Sequence, residues 1–491
     1  MGYAGLVAEV QGGAQPIEHW YQVKDDVMTC EAVLAPDAWA ELPFGQVELG
    51  DRRRAQRAVR VAEQMARHPA ASIPEQAGNG SATKASDRLF NEEDVTFEAL
   101  SSQHWASTRR EAGEHEQVLL VQDTSSLNFT AHHAAEGLGP MGNHQGRGFM
   151  VHSTLAVNPV GSGEVLGLAY QMLFCRQPTP EKETRSERRR RDRESEIWRT
   201  RVREIGCPPS GTQWIYVCDR YADDFETYET CRETGADFVI RVAQDRRAAL
   251  GHEASEASDR LLELARSLPP AGGKTLWVRQ RSTRQARRAK LLVGSAPVTV
   301  FPPWLAQRKS EPLRGWVVRV WEMDPPKGEE PIEWVLLTTV PVADLEMALT
   351  LAYWYSLRWL IEEYYKCLKT GCSAEKRQLA EAERLRACIG VLAVVAVRLL
   401  QLKQQARVNP DRPAVGCAPQ GHVQVLAVYL KRPVEGWTVR EFWREVARRG
   451  GFLARKSDGD PGWQTVWRGW QKLDLLTIGA GLAESKGKKC G

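Results

Sequence analysis

Two short apolar runs in this chain each stop at an aspartate: Val118-Leu119-Leu120-Val121-Gln122-Asp123 and Trp214-Ile215-Tyr216-Val217-Cys218-Asp219. Short runs of this kind predict strands buried on both faces. Further strand-like runs lie at 150–157, 165–174 and 238–242, with helical stretches near 181–205 and 222–234. That mixture predicts an α/β layer fold. From about 243 to 345 the pattern turns mostly strand-like, with runs at 275–281, 289–301, 316–322 and 334–340 separated by Pro/Gly turns. Helical patterns return at 346–371 and 379–405.

The amino-terminal part reads differently. Asp51 is a plausible N-cap for a basic amphipathic helix that runs to about His68 and stops before Pro69. A second helical stretch covers about 86–110. The most apolar run, 387–397, is too short to span a membrane and is flanked by Arg386 and Arg398, so it reads as a buried core helix. A Pro-rich break near 409–419 leads into a helical carboxy-terminal region with Trp437, Trp443, Trp463, Trp467 and Trp470. The last three fall on one helical face, which predicts a small core of their own.

The stretch 353–371, YWYSLRWLIEEYYKCLKTG, predicts one long helix with two faces. At about 100° per residue, Tyr355, Arg358, Glu362, Lys366 and Lys369 fall within an arc of roughly 80°. Trp354, Leu357, Ile361, Tyr364 and Leu368 form the apolar face. Spacing alone leaves two readings open: a solvated face with i,i+4 pairs such as Glu362 with Lys366, or a binding surface of one carboxylate, three cations and a phenol. A carboxylate closing each of two strands, with a third on a helix beside them, would suit hard divalent cations.

Charge and cysteines narrow the classes. Of 491 residues, 66 are Lys or Arg and 62 Asp or Glu, a net charge of only +4. A DNA partner must therefore be met by local clusters rather than total charge. Such clusters stand at Arg52, Arg53, Arg54, Arg57 and Arg60, at 188–191, and at Arg279, Arg281, Arg284, Arg287, Arg288 and Lys290. The ten cysteines include no C-x-x-C pair and read as reduced thiols of a cytoplasmic protein. Gly137 to Gly142 fits G-x-G-x-x-G literally. No strand leads directly into it and Pro140 interrupts it, so it reads as a loop between strands. His132, His133, His144 and His152 are too irregularly spaced for a zinc site.

Taken together, VQDTSSLNF around Asp123, VCDRYAD around Asp219, EWVLLTTVPV, and the spacing Y-x2-R-x3-E-x6-K at Tyr355, Arg358, Glu362 and Lys369 carry a resemblance. The chain resembles the RNase H-like DDE transposases of bacterial insertion sequences over roughly residues 40–480. The resemblance implies an RNase H-like α/β core, a mixed sheet flanked by helices, with a β-rich insertion at about 243–345. It divides the chain into an unassigned extension at 1–40, a helical DNA-end-binding domain at 41–112, a catalytic domain at 113–405 and a helical dimerisation region at 406–491.

The resemblance also implies that Asp123, Asp219 and Glu362 are catalytic and ligate two Mg²⁺ ions per site, for which Mn²⁺ may substitute. Arg358, Lys366 and Lys369 would hold phosphates of the DNA end, and Tyr355 would hydrogen-bond one. Arg241 would lie near that end, and Trp334, which the residues alone read as a sheet-core tryptophan, would stack on a flipped base. The implied activity is cut-and-paste transposition through a DNA hairpin, by a homodimer acting on double-stranded ends and target DNA. The setting would be the bacterial cytoplasm and nucleoid, with no membrane partner. The rival readings are a metal-dependent nuclease without strand transfer and a catalytically silent DNA-binding relative. A two-carboxylate glycosidase is a distant third.

Overall fold

The two apolar runs become neighbouring strands. β1 (Gln117–Asn128) and β5 (Gln213–Cys218) pair in parallel, with Gln122 opposite Cys218. Leu119, Val121, Ile215 and Val217 pack into one core; Val118, Leu120, Trp214 and Tyr216 pack into a second core. Both faces are covered, which is why these strands read as apolar runs and not as alternations. In this computed structural model the described residues are 31–141, 146–176, 194–278, 287–303, 310–405, 407, 410–415, 417–455 and 458–487.

β6 (Asp237–Arg241) continues the parallel set beyond β5. On the other side of β1 lie β3 (Gly146–Asn158) and then β4 (Glu164–Phe174), both antiparallel to their neighbours. The order β4-β3-β1-β5-β6, flanked by helices, is the RNase H-like mixed sheet expected. The glycine-rich loop differs from expectation: Gly139–Met141 forms a short strand, β2, that hydrogen-bonds β3.

The insertion is not a separate sheet. β7 (Arg247–Leu250), β8 (Asp259–Arg260), β9 (Gly272–Val278), β10 (Arg287–Val300), β11 (Leu313–Met323) and β12 (Glu333–Thr338) extend the same sheet, joined to it where β12 pairs with β6. Leu336 stands opposite Arg241, so the insertion's last strand borders the parallel strands directly.

Helices cover this sheet. The amino-terminal set is α1 (Pro36–Phe44), α2 (Arg52–Arg67), α3 (Ile73–Ala77), α4 (Gly80–Phe90) and α5 (Phe97–Ala112). Asp51 caps α2 as expected, its carboxylate accepting from the Arg53 amide at 2.8 Å. The stretch expected at 86–110 is two helices, because Thr96 starts a new one by capping the Ala99 amide at 3.1 Å. α1 crosses residue 40, so the boundary drawn there cuts a helix. The buried Arg398 guanidinium holds this segment, donating to Ala32 O (3.0 Å) and Leu34 O (2.6 Å) and lying over the Trp39 ring. No periodicity in so short a segment announces a partner more than 350 residues away.

α6 (Glu196–Ile205) and α7 (Phe225–Glu233) flank the parallel strands, and the cluster at 188–191 lies outside the described residues. α8 (Leu261–Ser267) lies in the insertion. α11 (Ala382–Gln404) contains the apolar run and is longer than it. By length and composition this helix would cross a membrane, yet it is almost wholly buried against α2, α5 and β4. At Gly390 a Cβ would lie 3.1 Å from Phe97 O, so α5 and α11 approach backbone to backbone. α12 (Gln420–Leu430), α13 (Val439–Arg449) and α14 (Trp463–Gly487) form the carboxy-terminal unit. Its tryptophans are core: Trp443 and Trp470 stack at 5.0 Å, and His422 stacks on Trp470 at 4.6 Å. The eight cysteines among the described residues are free thiols.

Candidate active site

Strand register brings the two aspartates together. Asp123 and Asp219 each stand one residue beyond the last β1–β5 pair. Asp123 does not end its strand, as the sequence suggests; β1 continues to Asn128, paired with β3 alone. It therefore lies where β5 stops, at the carboxyl ends of the parallel strands, the usual place for a site in such a sheet. Asp219 caps the short turn after β5, accepting from the Tyr221 amide at 2.8 Å.

The third carboxylate arrives on a helix that is not continuous. α9 (Leu345–Leu357) and α10 (Trp359–Lys366) meet at Arg358, where the amides of Arg358 and Ile361 bond back three residues, at 3.2 and 3.3 Å. A π turn at Cys367–Gly371 follows, closed by Cys372 N to Cys367 O at 2.8 Å. The turn departs from 100° per residue and places Lys369 Nζ 2.8 Å from Ser125 Oγ on β1.

Arg358 joins the carboxylates. Its Nη1 is 3.0 Å from Asp123 Oδ2 and its Nη2 is 2.9 Å from Glu362 Oε1. Burial, partly offset by Arg358, raises the Asp123 carboxyl to about 7, with Asp219 and Glu362 adding repulsion. Burial likewise raises Asp219, against the Tyr221 amide, Arg358 and Arg220. Burial works against the Arg358 charge, but Tyr355, Asp123 and Glu362 together hold its pKa above the ordinary range. Lys369 is lowered by burial, with Glu375 and Glu362 opposing.

Among the described residues no three acidic, His or Cys side chains lie close enough to share one ion. Arg358 stands between Asp123 and Glu362 and balances their charge. The donor set nevertheless fits a hard divalent cation. It consists of carboxylate oxygens, and their mutual repulsion in a buried place calls for added positive charge.

The other residues singled out from sequence divide. Tyr355 is buried and packs against Trp334, ring centres 5.1 Å apart. Arg241 donates to Glu333 O at 3.0 Å and hydrogen-bonds the Tyr355 side chain. These three form one layer beside Arg358. Trp334, expected to stack on a base, is only 4% exposed and belongs to the sheet core. Lys366 turns to Glu363 (3.5 Å) and the Trp359 ring (4.8 Å) rather than pairing with Glu362. His152 is buried, with Nδ1 2.7 Å from Thr124 Oγ1, and His132 Nε2 is 3.0 Å from Leu379 O. Both are structural, and His144 lies outside the described residues.

Sequence reasoning missed several supports. The Tyr365 hydroxyl donates to Asp123 O at 2.6 Å. Glu363 forms a buried ion pair with Lys403 of α11, tying down the residue next to Glu362. Asp223, the extra acid after VCDRYA, is buried and accepts from the Ala243 and Gln244 amides at 2.6 Å each, and from Arg246 and the Tyr228 hydroxyl. Its presence four residues after Asp219 was the available signal.

Three family models match this chain: transposase DNA-binding over 36–95, transposase DDE domain over 190–397, and transposase Tn5 dimerisation domain over 394–490. The chain has the domain make-up of a Tn5-type transposase. Its partners are accordingly DNA and a second copy of itself, and enzymes with a DDE domain work with divalent metal. The DDE match contains Asp219 and Glu362 but not Asp123, which the β1–β5 register sets beside Asp219.

Proposed function

We infer that this chain is a cut-and-paste transposase, related to the transposase of the kanamycin-resistance composite transposon. In this reading it cuts transposon ends through a DNA hairpin and joins them to target DNA in the bacterial cytoplasm, on the nucleoid. The carrying observation is that Arg358 joins Asp123 to Glu362 while the β1–β5 register sets Asp219 beside Asp123. When bound, two Mg²⁺ or Mn²⁺ ions supply Lewis acidity toward the scissile phosphate and an activated oxygen nucleophile. Asp123, Asp219 and Glu362 hold them. Arg358, released from its carboxylates, contacts the phosphate; Lys369 flanks it from the Ser125 side, and Lys366 lies further out. Tyr355, Arg241 and Trp334 line the same side, and the buried Trp334 ring receives a base only after that layer opens.

The DNA end meets the helical domain placed at 41–112. On α2, Arg52, Arg53 and Arg60 face solvent, while Arg54 turns inward to pair with Glu92 and Asp94. The catalytic domain runs to about 405 and the dimerisation region follows. There α14 is apolar on two sides: Val466, Trp467, Trp470 and Leu473 are buried, whereas Leu475 (65% exposed), Leu476 and Ile478 are bare. That bare face is the dimer contact in this reading. Leu475→Glu with Ile478→Glu is expected to leave a folded monomer by light scattering while the wild type pairs on DNA ends. A double variant that still pairs would refute this placement.

The direct test is a labelled duplex carrying the element's own end and flank, incubated with Mg²⁺ or with EDTA. Cleavage with a hairpin on a denaturing gel, absent in EDTA, is expected. Cleavage that persists in EDTA, or none with any divalent metal, would overturn the reading.

A further inference from the structure

The turn after Asp219 presents an aromatic ring to solvent beside the carboxylates. Tyr221 is 70% exposed, while the other aromatic residues near the centre, Trp334, Tyr355 and Tyr365, are buried. A single exposed tyrosine is ordinary. What distinguishes this one is where and how firmly it is held. Its amide donates to Asp219 Oδ1 at 2.8 Å, so ring and carboxylate share one short turn. The Ala222 amide bonds Asp219 O at 3.2 Å, and buried Asp223 anchors the far side through Ala243, Gln244 and Arg246. The exposed Arg220 sets its guanidinium 5.7 Å from the Tyr221 ring centre and has no ion pair among the described residues.

A rigid turn offering one exposed ring and one exposed guanidinium suits a nucleotide: the ring's open side takes a base face and the arginine a phosphate. We propose that Tyr221 stacks on a base of the DNA end being cut, next to the scissile phosphate, with Arg220 holding the adjoining phosphate. The proposal rests on the transposase reading and adds a positioning contact to it. Tyr221 is pre-placed, because its backbone is locked to Asp219. The stack therefore sets the distance between that base and the carboxylates without any opening of the sheet core.

The test uses the full chain, the end-and-flank duplex, and 2-aminopurine placed in turn at each nucleotide around the cut. Fluorescence is read in EDTA and cleavage in Mg²⁺. Tyr221→Ala is expected to relieve the quench at one position and to slow cleavage about tenfold, the scale of one lost base stack. Tyr221→Phe keeps both. An alanine variant equal to wild type in both readouts would overturn the proposal. So would a phenylalanine variant as impaired as alanine, since the hydroxyl would then matter. Normal cleavage with loss only of joining would assign the ring to target DNA instead. Wild type against Glu362→Gln on the same gel tests the transposase reading separately, and the EDTA fluorescence reports on Tyr221 whether or not the DNA is cut.

Discussion

Glu362→Gln is expected to lower metal-dependent cleavage by about 10³-fold or more while leaving fold and DNA-end binding intact. The substitution keeps the shape of the side chain, and a glutamine Oε1 still accepts from Arg358 Nη2, now 2.9 Å from Glu362 Oε1. What disappears is one negative charge where a divalent cation must be held against the cationic Arg358, and losing one group aimed at the reacting phosphate costs rate on this scale. Stability should change by less than about 1 kcal/mol, because Glu362 is only partly buried and Arg358 retains Asp123 at 3.0 Å. Single-turnover cleavage beside thermal melting separates the two effects. A variant that cuts at the wild-type rate would remove Glu362 from the site.

The largest stability effect is expected away from the carboxylates, at Asp223→Ala. Asp223 is 2% exposed, and its carboxylate bonds two backbone amides, Arg246 and the Tyr228 hydroxyl. Alanine strands the buried Arg246 charge and leaves the amides of Ala243 and Gln244 without that acceptor. Breaking a buried pair from one side costs about 3–5 kcal/mol. Denaturant unfolding should show that loss, together with slower cleavage, since the Asp219 turn is tethered through the same residue. Removing both charges, Asp223→Leu with Arg246→Met, should recover a substantial part of the stability. A loss under about 1 kcal/mol for the single change would show that solvent replaces the network.

How far the sequence could be read depended on the range of the interaction. β1 and β5 were legible because strands buried on both faces are apolar at successive positions. The α2 start was legible because its Asp51 cap is two residues from the amide it serves. The division of 86–110 into two helices was missed, although Thr96 caps Ala99 just as locally. The helix at 353–371 was legible as helical and amphipathic, but not its break at Arg358 or its π turn. Those depend on how the chain meets β1, through Arg358 to Asp123 and Lys369 to Ser125.

The buried Trp334 is the opposite case. The residues alone favour a sheet-core tryptophan, and only the resemblance turned Trp334 toward DNA; the ring packs on Tyr355. By contrast, nothing near Arg398 indicates that it holds Ala32 and Leu34.

By itself, the sequence determined the two buried strands that lead into Asp123 and Asp219, the helical character of 353–371, the candidate carboxylates and the family resemblance they carry, because each rests on residue type or on spacing within a few turns. Tertiary structure alone decided that Asp123 stands beside Asp219, that Arg358 rather than Lys366 meets Glu362 and that Tyr221 is bare. These follow from strand register and from which surfaces come to face each other. Both are set by the sum of packing over the whole chain, which no local pattern records.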